Sequence, residues 1–318
     1  MWRWRVNQAR IAAREDARTG LRVPRRSASS QNTRSGASPL GKGPFLRSIR
    51  RRTDGDDGRF PFSVPAVRSL ESIDLPGAVT FFVGENGSGK STVLEAIAAA
   101  ARLPTVGSDD IQADRTLAPQ RELADALQLV WSRRTKRGFF LRAEDFFGFT
   151  KRLAVMRAEL LGRLDEIDVE YADRSAYAKG LAGGPVRASL GELEARYGEN
   201  LDASSHGQSF LKLFRSRFVP GGLYLLDEPE APLSPQSQLG LMAMIADMVA
   251  DDAQFVIATH SPILLAYPGA RIVSFDEAPV KAVEYEELES VRLVRDFLAG
   301  PERYLRGIIK SHGSTGYD

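Results

Sequence analysis

The 318 residues, 43% apolar and 26% charged, suffice for a large buried core and one to three domains, and the absence of cysteine excludes disulfides and thiolate metal sites. No run of 18 apolar residues occurs, and the most apolar stretch, Leu239–Val249, is interrupted by Asp247, so no membrane-spanning helix is expected. The formal net charge of +2 is unevenly spread: residues 1–43 hold ten Lys and Arg against two Asp and Glu, which leaves a mildly acidic body and removes the usual electrostatic argument for nucleic-acid binding.

Residues 1–43 are rich in Arg, Ser and Gly without a sustained apolar period and read as a disordered basic extension, whether a flexible tail, a targeting peptide or a stretch translated upstream of the true start. Order is expected from about residue 44, with Phe45–Ile49 as an edge strand and a polar turn at Asp54–Gly58. Ala78–Val83 is a short buried strand, followed by a glycine-rich turn and an Ala-rich helix at Thr92–Arg102. Periodicity gives helices at 120–131 and 151–171, with Phe139–Arg142 as a short strand or loop between them and a flexible break at Gly180–Pro185. The continuous apolar runs Leu223–Leu226 and Phe255–Ala258 suit parallel strands covered on both faces, joined by a helix at Ser237–Ala250 in a right-handed crossover. Arg271–Phe275 is a further strand, and 286–310 is mainly helical.

The chemistry-bearing residues fall at the ends of these strands. Gly84, Glu85, Asn86, Gly87, Ser88, Gly89, Lys90 and Ser91, followed by Thr92, fit the phosphate-loop pattern of Gly, four residues, then Gly-Lys-Ser, and they lie where that pattern must lie, between a strand and a helix. Glycines let successive amide N–H groups face one concavity, and the helix adds the positive end of its dipole. Lys90 would reach the outer phosphates, and the Ser91 hydroxyl would hold Mg²⁺. Leu223–Leu226 ends in Asp227 and Glu228, a Mg²⁺ ligand through water and a base that orients and deprotonates the attacking water. His260 closes the next apolar run, at the carboxyl edge where α/β sheets bind ligands, and is placed to sense a γ-phosphate.

This ordered trio resembles the ABC-type ATPase superfamily, and within it the small "predicted ATPase" group often labelled AAA or ABC-like. The resemblance covers approximately residues 45–276. Its most specific element is a Ser-Gly-Gly-Gln-like signature: Ser205, His206, Gly207 and Gln208 match it with His replacing one Gly, 20 positions before Asp227 when counted from Gly207, and His260 lies 32 positions after Glu228. The resemblance implies an α/β P-loop NTPase fold, a mixed, largely parallel sheet flanked by helices, with residues 44–318 forming the ATPase domain and a helical subdomain at about 120–215 carrying the signature. It further implies ATP and Mg²⁺ as ligands, hydrolysis with Glu228 and His260 in the catalytic roles, and a homodimer formed on ATP binding, in which Ser205, Gly207 and Gln208 complete the site of the opposite copy. Glu230–Ser234 stands where the family places its D-loop. One departure stands out. The Q-loop glutamine is missing from Phe139–Phe147, where Arg142 or Glu144 would have to stand in; the four phenylalanines there read as core rather than docking surface. Phe60 and Phe62 are candidate adenine-stacking rings.

A cytoplasmic, soluble ATPase is the expected activity, the process it drives being unspecified. Two relatives of that reading are a subunit energising a separate permease, against which the missing glutamine and the unusual 151–197 insert count, and a short-armed DNA-repair type. Long arms are excluded, because only about 115 residues, without sustained heptads, separate the phosphate loop from the signature. A nucleotide switch without turnover is the remaining alternative.

Overall fold

The computed structural model describes residues 44–52, 58–106, 118–197 and 206–312; the basic extension and most of the expected polar turn lie outside these. In chain order the elements are β1 (Leu46–Arg51), α1 (Pro65–Arg68), β2 (Ser72–Asp74), β3 (Val79–Val83), α2 (Lys90–Ala101), α3 (Ala118–Ala126), β4 (Leu127–Trp131), β5 (Gly138–Arg142), α4 (Ala143–Glu170), α5 (Ala176–Tyr197), α6 (His206–Arg217), β6 (Leu223–Asp227), α7 (Pro235–Ala250), β7 (Gln254–Ala258), α8 (Pro262–Leu265), β8 (Arg271–Ser274), β9 (Lys281–Val283), a 3-10 turn at Tyr285–Glu287, α9 (Glu289–Ala299) and α10 (Pro301–His312). No helix among the described residues is long and apolar enough to cross a membrane.

Six strands form one sheet in the order β5-β6-β7-β3-β8-β9, parallel except for the last pair, and helices cover both faces. This is the α/β P-loop architecture that the sequence implies. Burial on both faces explains the unbroken apolar runs. In β6, Leu223 and Leu225 enter one core layer while Tyr224 and Leu226 enter the other, and in β7 Val256 and Ala258 alternate with Phe255 and Ile257 in the same way. The first layer packs beneath α2 and the second beneath α4, α6 and α7.

Several local expectations give way to tertiary structure. Phe45–Ile49 is not an edge: β1 is the middle strand of a separate antiparallel sheet, β2-β1-β4, with Leu46 and Ile49 wholly buried. The helix expected at 120–131 stops at Ala126, because Leu127–Trp131 pairs with β1. The helical segment that follows therefore begins at Ala143, and Phe139–Arg142 is a full strand of the large sheet. Gly180–Pro185 is not a break either. Helix α5 runs through it with Pro185 inside, although an interior proline costs roughly 3 kcal/mol. Packing against α4 offsets this, with Leu153, Ile167 and Leu193 buried and Glu194 accepting two hydrogen bonds from Arg157 at 3.0 and 3.1 Å.

The two sheets are tied by a side chain. Gln254, only 1% exposed, accepts the Leu46 N–H at 2.9 Å and donates to the Leu46 carbonyl at 2.8 Å, so it completes an edge that no strand reaches. Gln254→Ala would leave both the Leu46 N–H and the Leu46 carbonyl without these partners, and a loss of about 2–4 kcal/mol is expected. Equilibrium urea unfolding checks it, and an unchanged midpoint would remove Gln254 from this role.

Candidate functional site

The order β6-β7-β3-β8 places the carboxyl ends of four parallel strands side by side, and each ends in a residue of the site. After β3 the chain turns through Gly84–Gly89 into α2. The turn depends on two glycines. Gly84 has φ +145°, and a Cβ there would lie 2.9 Å from Ser88 Oγ; Gly89 has φ +103° at the helix start, and a Cβ would lie 2.8 Å from Val64 Cγ1. At Gly89 the loop is thereby pressed against Val64 and α1.

Lys90 is 4% exposed, and its Nζ donates to the Gly84 and Glu85 carbonyls at 2.6 and 2.9 Å. Burial lowers the ammonium pKa, while Glu228, Asp227, Asp276 and Glu230 act in the opposite sense. One residue further, Ser91 Oγ lies 3.1 Å from Asp227 Oδ1, joining the start of α2 to the end of β6. Asp227 is pushed up to about 7 by burial, with Glu95 and Glu228 adding repulsion and the Ser91 hydrogen bond and Lys90 opposing it. A carboxylate so reluctant to ionise alone, beside a hydroxyl, is a fitting pair of hard donors for a divalent cation. Among the described residues no group of three or more His, Cys, Asp and Glu side chains is placed to hold a metal ion. The buried Ser88 hydroxyl has no partner inside the loop and suits a polar ligand there.

Glu228 follows Asp227 with φ +49°, a left-handed conformation that a non-glycine residue adopts at a cost of about 1–2 kcal/mol. Its N–H is held by the Ala258 carbonyl at 2.9 Å, and Glu228 Oε1 lies 3.7 Å from His260 Nε2. Both side chains are half-exposed at the mouth of the site. The backbone at His260 is held by its own N–H, which donates to Glu230 Oε1 at 2.8 Å. The other Glu230 oxygen is buried without a partner, and burial raises this carboxyl's pKa. The structure therefore brings Lys90, Ser91, Asp227, Glu228 and His260 to one edge.

The signature is only partly described. Ser205 lies outside the described residues, as does the Gln208 side chain, but His206 opens α6, so the motif does stand at a helix start. Gly207 is buried; a Cβ there would lie 3.3 Å from both the Pro232 carbonyl and Ser237 Oγ, which puts the signature against the segment following β6. Helix α6 is anchored by Phe210, edge-to-face with Phe146 at 4.6 Å and with Phe214 at 4.7 Å. Phe139, Phe140 and Phe146 are core, as expected; the side chain of Phe147 is not among those described. Phe62 is also core, with Arg51 over its ring, so it presents no face to an adenine, whereas Phe60 is exposed.

Three residues near the site carry no recognisable motif. Arg142 closes β5 and pairs in register with Asp227 on β6. Its guanidinium bonds Glu95 at 3.1 Å and Asp145 at 2.9 Å, whereas Glu144, 75% exposed, stands off at 3.5 Å, so of the two stand-ins only Arg142 is built into the edge. Glu95 had a legible signal, one helical turn after Ser91 on the same face. Asp276 had none. It follows β8 and accepts the Glu85 N–H at 2.7 Å, clamping the phosphate loop from the neighbouring strand. Asp276→Ala removes that clamp, and about a tenfold weaker affinity for a fluorescent ATP analogue is expected in a titration, in keeping with a lost charge-assisted hydrogen bond. Unaltered affinity would show that the loop holds its shape without it.

The chain is similar to several known proteins. An AAA-domain family model matches residues 62–110, which include the phosphate loop. The macrolide export ATP-binding/permease protein MacB of Rhodopseudomonas palustris (strain HaA2) is 27% identical over 257 residues, covering 79% of this chain and 35% of that protein. Its namesake from Hahella chejuensis is 29% identical over 225 residues, covering 68% and 31%. The chain thus spans about a third of the length of these relatives. Among solved structures, an ATP-binding cassette of an ABC transporter in its ADP conformation aligns with 80% of this chain and 98% of its own at a TM-score of 0.41 and 17% identity.

Proposed function

We propose that this chain, a member of the ABC-type ATPase superfamily, binds ATP with Mg²⁺ and hydrolyses it as a cytoplasmic enzyme whose dimerisation is gated by the nucleotide. The observation that carries this reading is the convergence of Lys90, Ser91, Asp227, Glu228 and His260 on one sheet edge.

The chemistry asks little covalent work of the protein. Phosphoryl transfer to water proceeds mainly through positioning and neutralisation of charge. The loop amides from Gly84 to Thr92 and the α2 dipole cradle the phosphates, and Lys90 places its cation against the outer ones. Ser91, and Asp227 through water, would hold Mg²⁺, which when bound would draw charge from the phosphate oxygens. Glu228 accepts a hydrogen bond from the attacking water and takes its proton, and His260 faces the terminal phosphate. Ser205, Gly207 and Gln208 of a second copy cover that phosphate, closing the site against bulk water. The residues 44–318 act as the ATPase domain, with the helices between β5 and β6 carrying the signature.

Phosphate release by the purified full-length chain tests the reading. Turnover that requires Mg²⁺, disappears with EDTA and depends more than linearly on protein concentration is expected; no release above that of a Lys90→Ala preparation would contradict it. A second reading, a subunit energising a separate permease, is favoured by relatives whose names join an ATP-binding part to transport. Membrane extracts passed over the immobilised chain with ATP discriminate: retention of a polytopic protein supports the permease role, and its absence favours a free-standing dimer.

A further inference from the structure

Between the His260 segment and the signature lies a set of hydrogen bonds that no motif announces. Gln238 stands at its centre, in the first turn of α7. Its Oε1 accepts the Ser261 hydroxyl at 2.5 Å, and its Nε2 donates to the Leu233 carbonyl at 3.3 Å. One side chain therefore joins the residue next to His260 to the segment that follows β6. Glu230 makes a second bridge between the same two segments, through Oε1 and the His260 N–H at 2.8 Å.

Both ends of the Gln238 bridge are fixed. Ser261, 6% exposed, accepts the Ile263 and Leu264 N–H groups at 3.2 Å, and its own N–H is held by Thr259 Oγ1 at 3.0 Å. Leu233 is buried, with its N–H on the Glu230 carbonyl at 2.8 Å. Against the same segment sits Gly207 of the signature, where a Cβ would lie 3.3 Å from the Pro232 carbonyl and 3.7 Å from Leu233 Cδ2. Helix α6, which the signature opens, also rests on α7, since a Cβ at Gly240 would lie 3.3 Å from Leu211 Cδ1. The start of α7 is already satisfied without Gln238, by the Ser234 hydroxyl, which accepts the Ser237 N–H at 3.2 Å, and by Pro235. The Gln238 bonds are thus a tie between segments rather than a cap.

We propose that Gln238 is a positioning residue for the hydrolytic site: it holds the His260 segment and the face that carries Gly207 as one body, so that the terminal phosphate met at His260 sets where the signature stands for a second copy. The inference rests on the ATPase reading and adds to it a residue outside every motif above. Hydrogen bonds and packed groups that form a continuous chain between two sites are the physical means by which one site biases the other.

The test is Gln238→Met, which keeps the side chain's length and helix preference and removes both bonds without adding charge. The full-length variant and the unmodified chain are compared in phosphate release at several protein concentrations, in titration with a fluorescent ATP analogue and in a thermal melt. Affinity within about twofold of the unmodified chain, with turnover at least about fivefold lower, is expected, the lower end of ordinary coupling between sites. Combined with Glu228→Gln, the substitution is expected to raise by a similar factor the protein concentration at which ATP produces half-maximal dimer in light scattering. A lowered melting temperature with turnover and dimer midpoint unchanged would mark Gln238 as merely structural and overturn the proposal. Ser261→Ala removes the same Ser261–Gln238 bond from its other end, so the two effects on turnover should fall well short of adding in the double variant; full additivity would also overturn it. A silent unmodified chain would sink the ATPase reading and this inference with it, whereas an active unmodified chain matched by Gln238→Met would sink this inference alone.

Discussion

Glu228→Gln should slow ATP hydrolysis by roughly 10²-fold or more, the usual contribution of a positioned general base, and leave ATP binding nearly intact. The amide has the shape of the carboxylate and can still accept a hydrogen bond from water, but it takes no proton. Binding survives because the contacts that hold the triphosphate come from other parts of the edge, the loop amides, Lys90 and the Ser91–Asp227 pair. The strained backbone at Glu228, φ +49°, and its proximity to His260 at 3.7 Å place its carboxyl at the mouth rather than in the wall, where a water can reach it. Steady-state phosphate release paired with a nucleotide titration checks both halves. Since hydrolysis ends the dimeric state in the proposed cycle, the variant should also accumulate as a dimer with ATP in light scattering. Unchanged turnover would remove Glu228 from its role as base.

Lys90→Ala acts on the other half of the cycle. The residue is a nearly buried cation inside the loop, and its charge-assisted bonds to phosphate contribute about 1.5–3 kcal/mol each. A loss of affinity between tenfold and several hundredfold is expected, with hydrolysis falling at sub-saturating ATP for that reason alone. Because Nζ also braces the Gly84 and Glu85 carbonyls, a thermal melt must accompany the titration; a preserved melt with weakened binding assigns the effect to the phosphates. Normal affinity would contradict the cradle assignment.

The contrast between these residues and those that escaped notice explains what a single sequence can convey. Asp227 and His260 were legible because each follows an unbroken apolar run, and Lys90 because its glycine loop follows another, and such strands, buried on both faces, announce both their location and the edge at which they end. The fold class followed from the same runs. Local periodicity failed where long-range pairing decides the outcome. Leu127–Trp131 has an apolar pattern compatible with a helix, but β1, some 80 residues earlier in the chain, claims it as a strand. Pro185 carries a strong local signal for a break that packing between α4 and α5 overrides. Asp276 and Arg142 were invisible or ambiguous for a different reason. Each earns its place through a partner distant in sequence, Glu85 for one and Glu95 for the other, and no spacing rule reports such a contact.

The central claim is geometric, and a crystal structure of the Glu228→Gln chain grown with ATP and Mg²⁺ addresses it most directly. The expected electron density is a triphosphate enclosed by the amides of residues 84–91, with Lys90 Nζ on its outer oxygens, a cation between Ser91 Oγ and the Asp227 carboxylate, and His260 toward the terminal phosphate. A nucleotide seated elsewhere, or one whose phosphates touch neither Lys90 nor the Ser91–Asp227 pair, would contradict it.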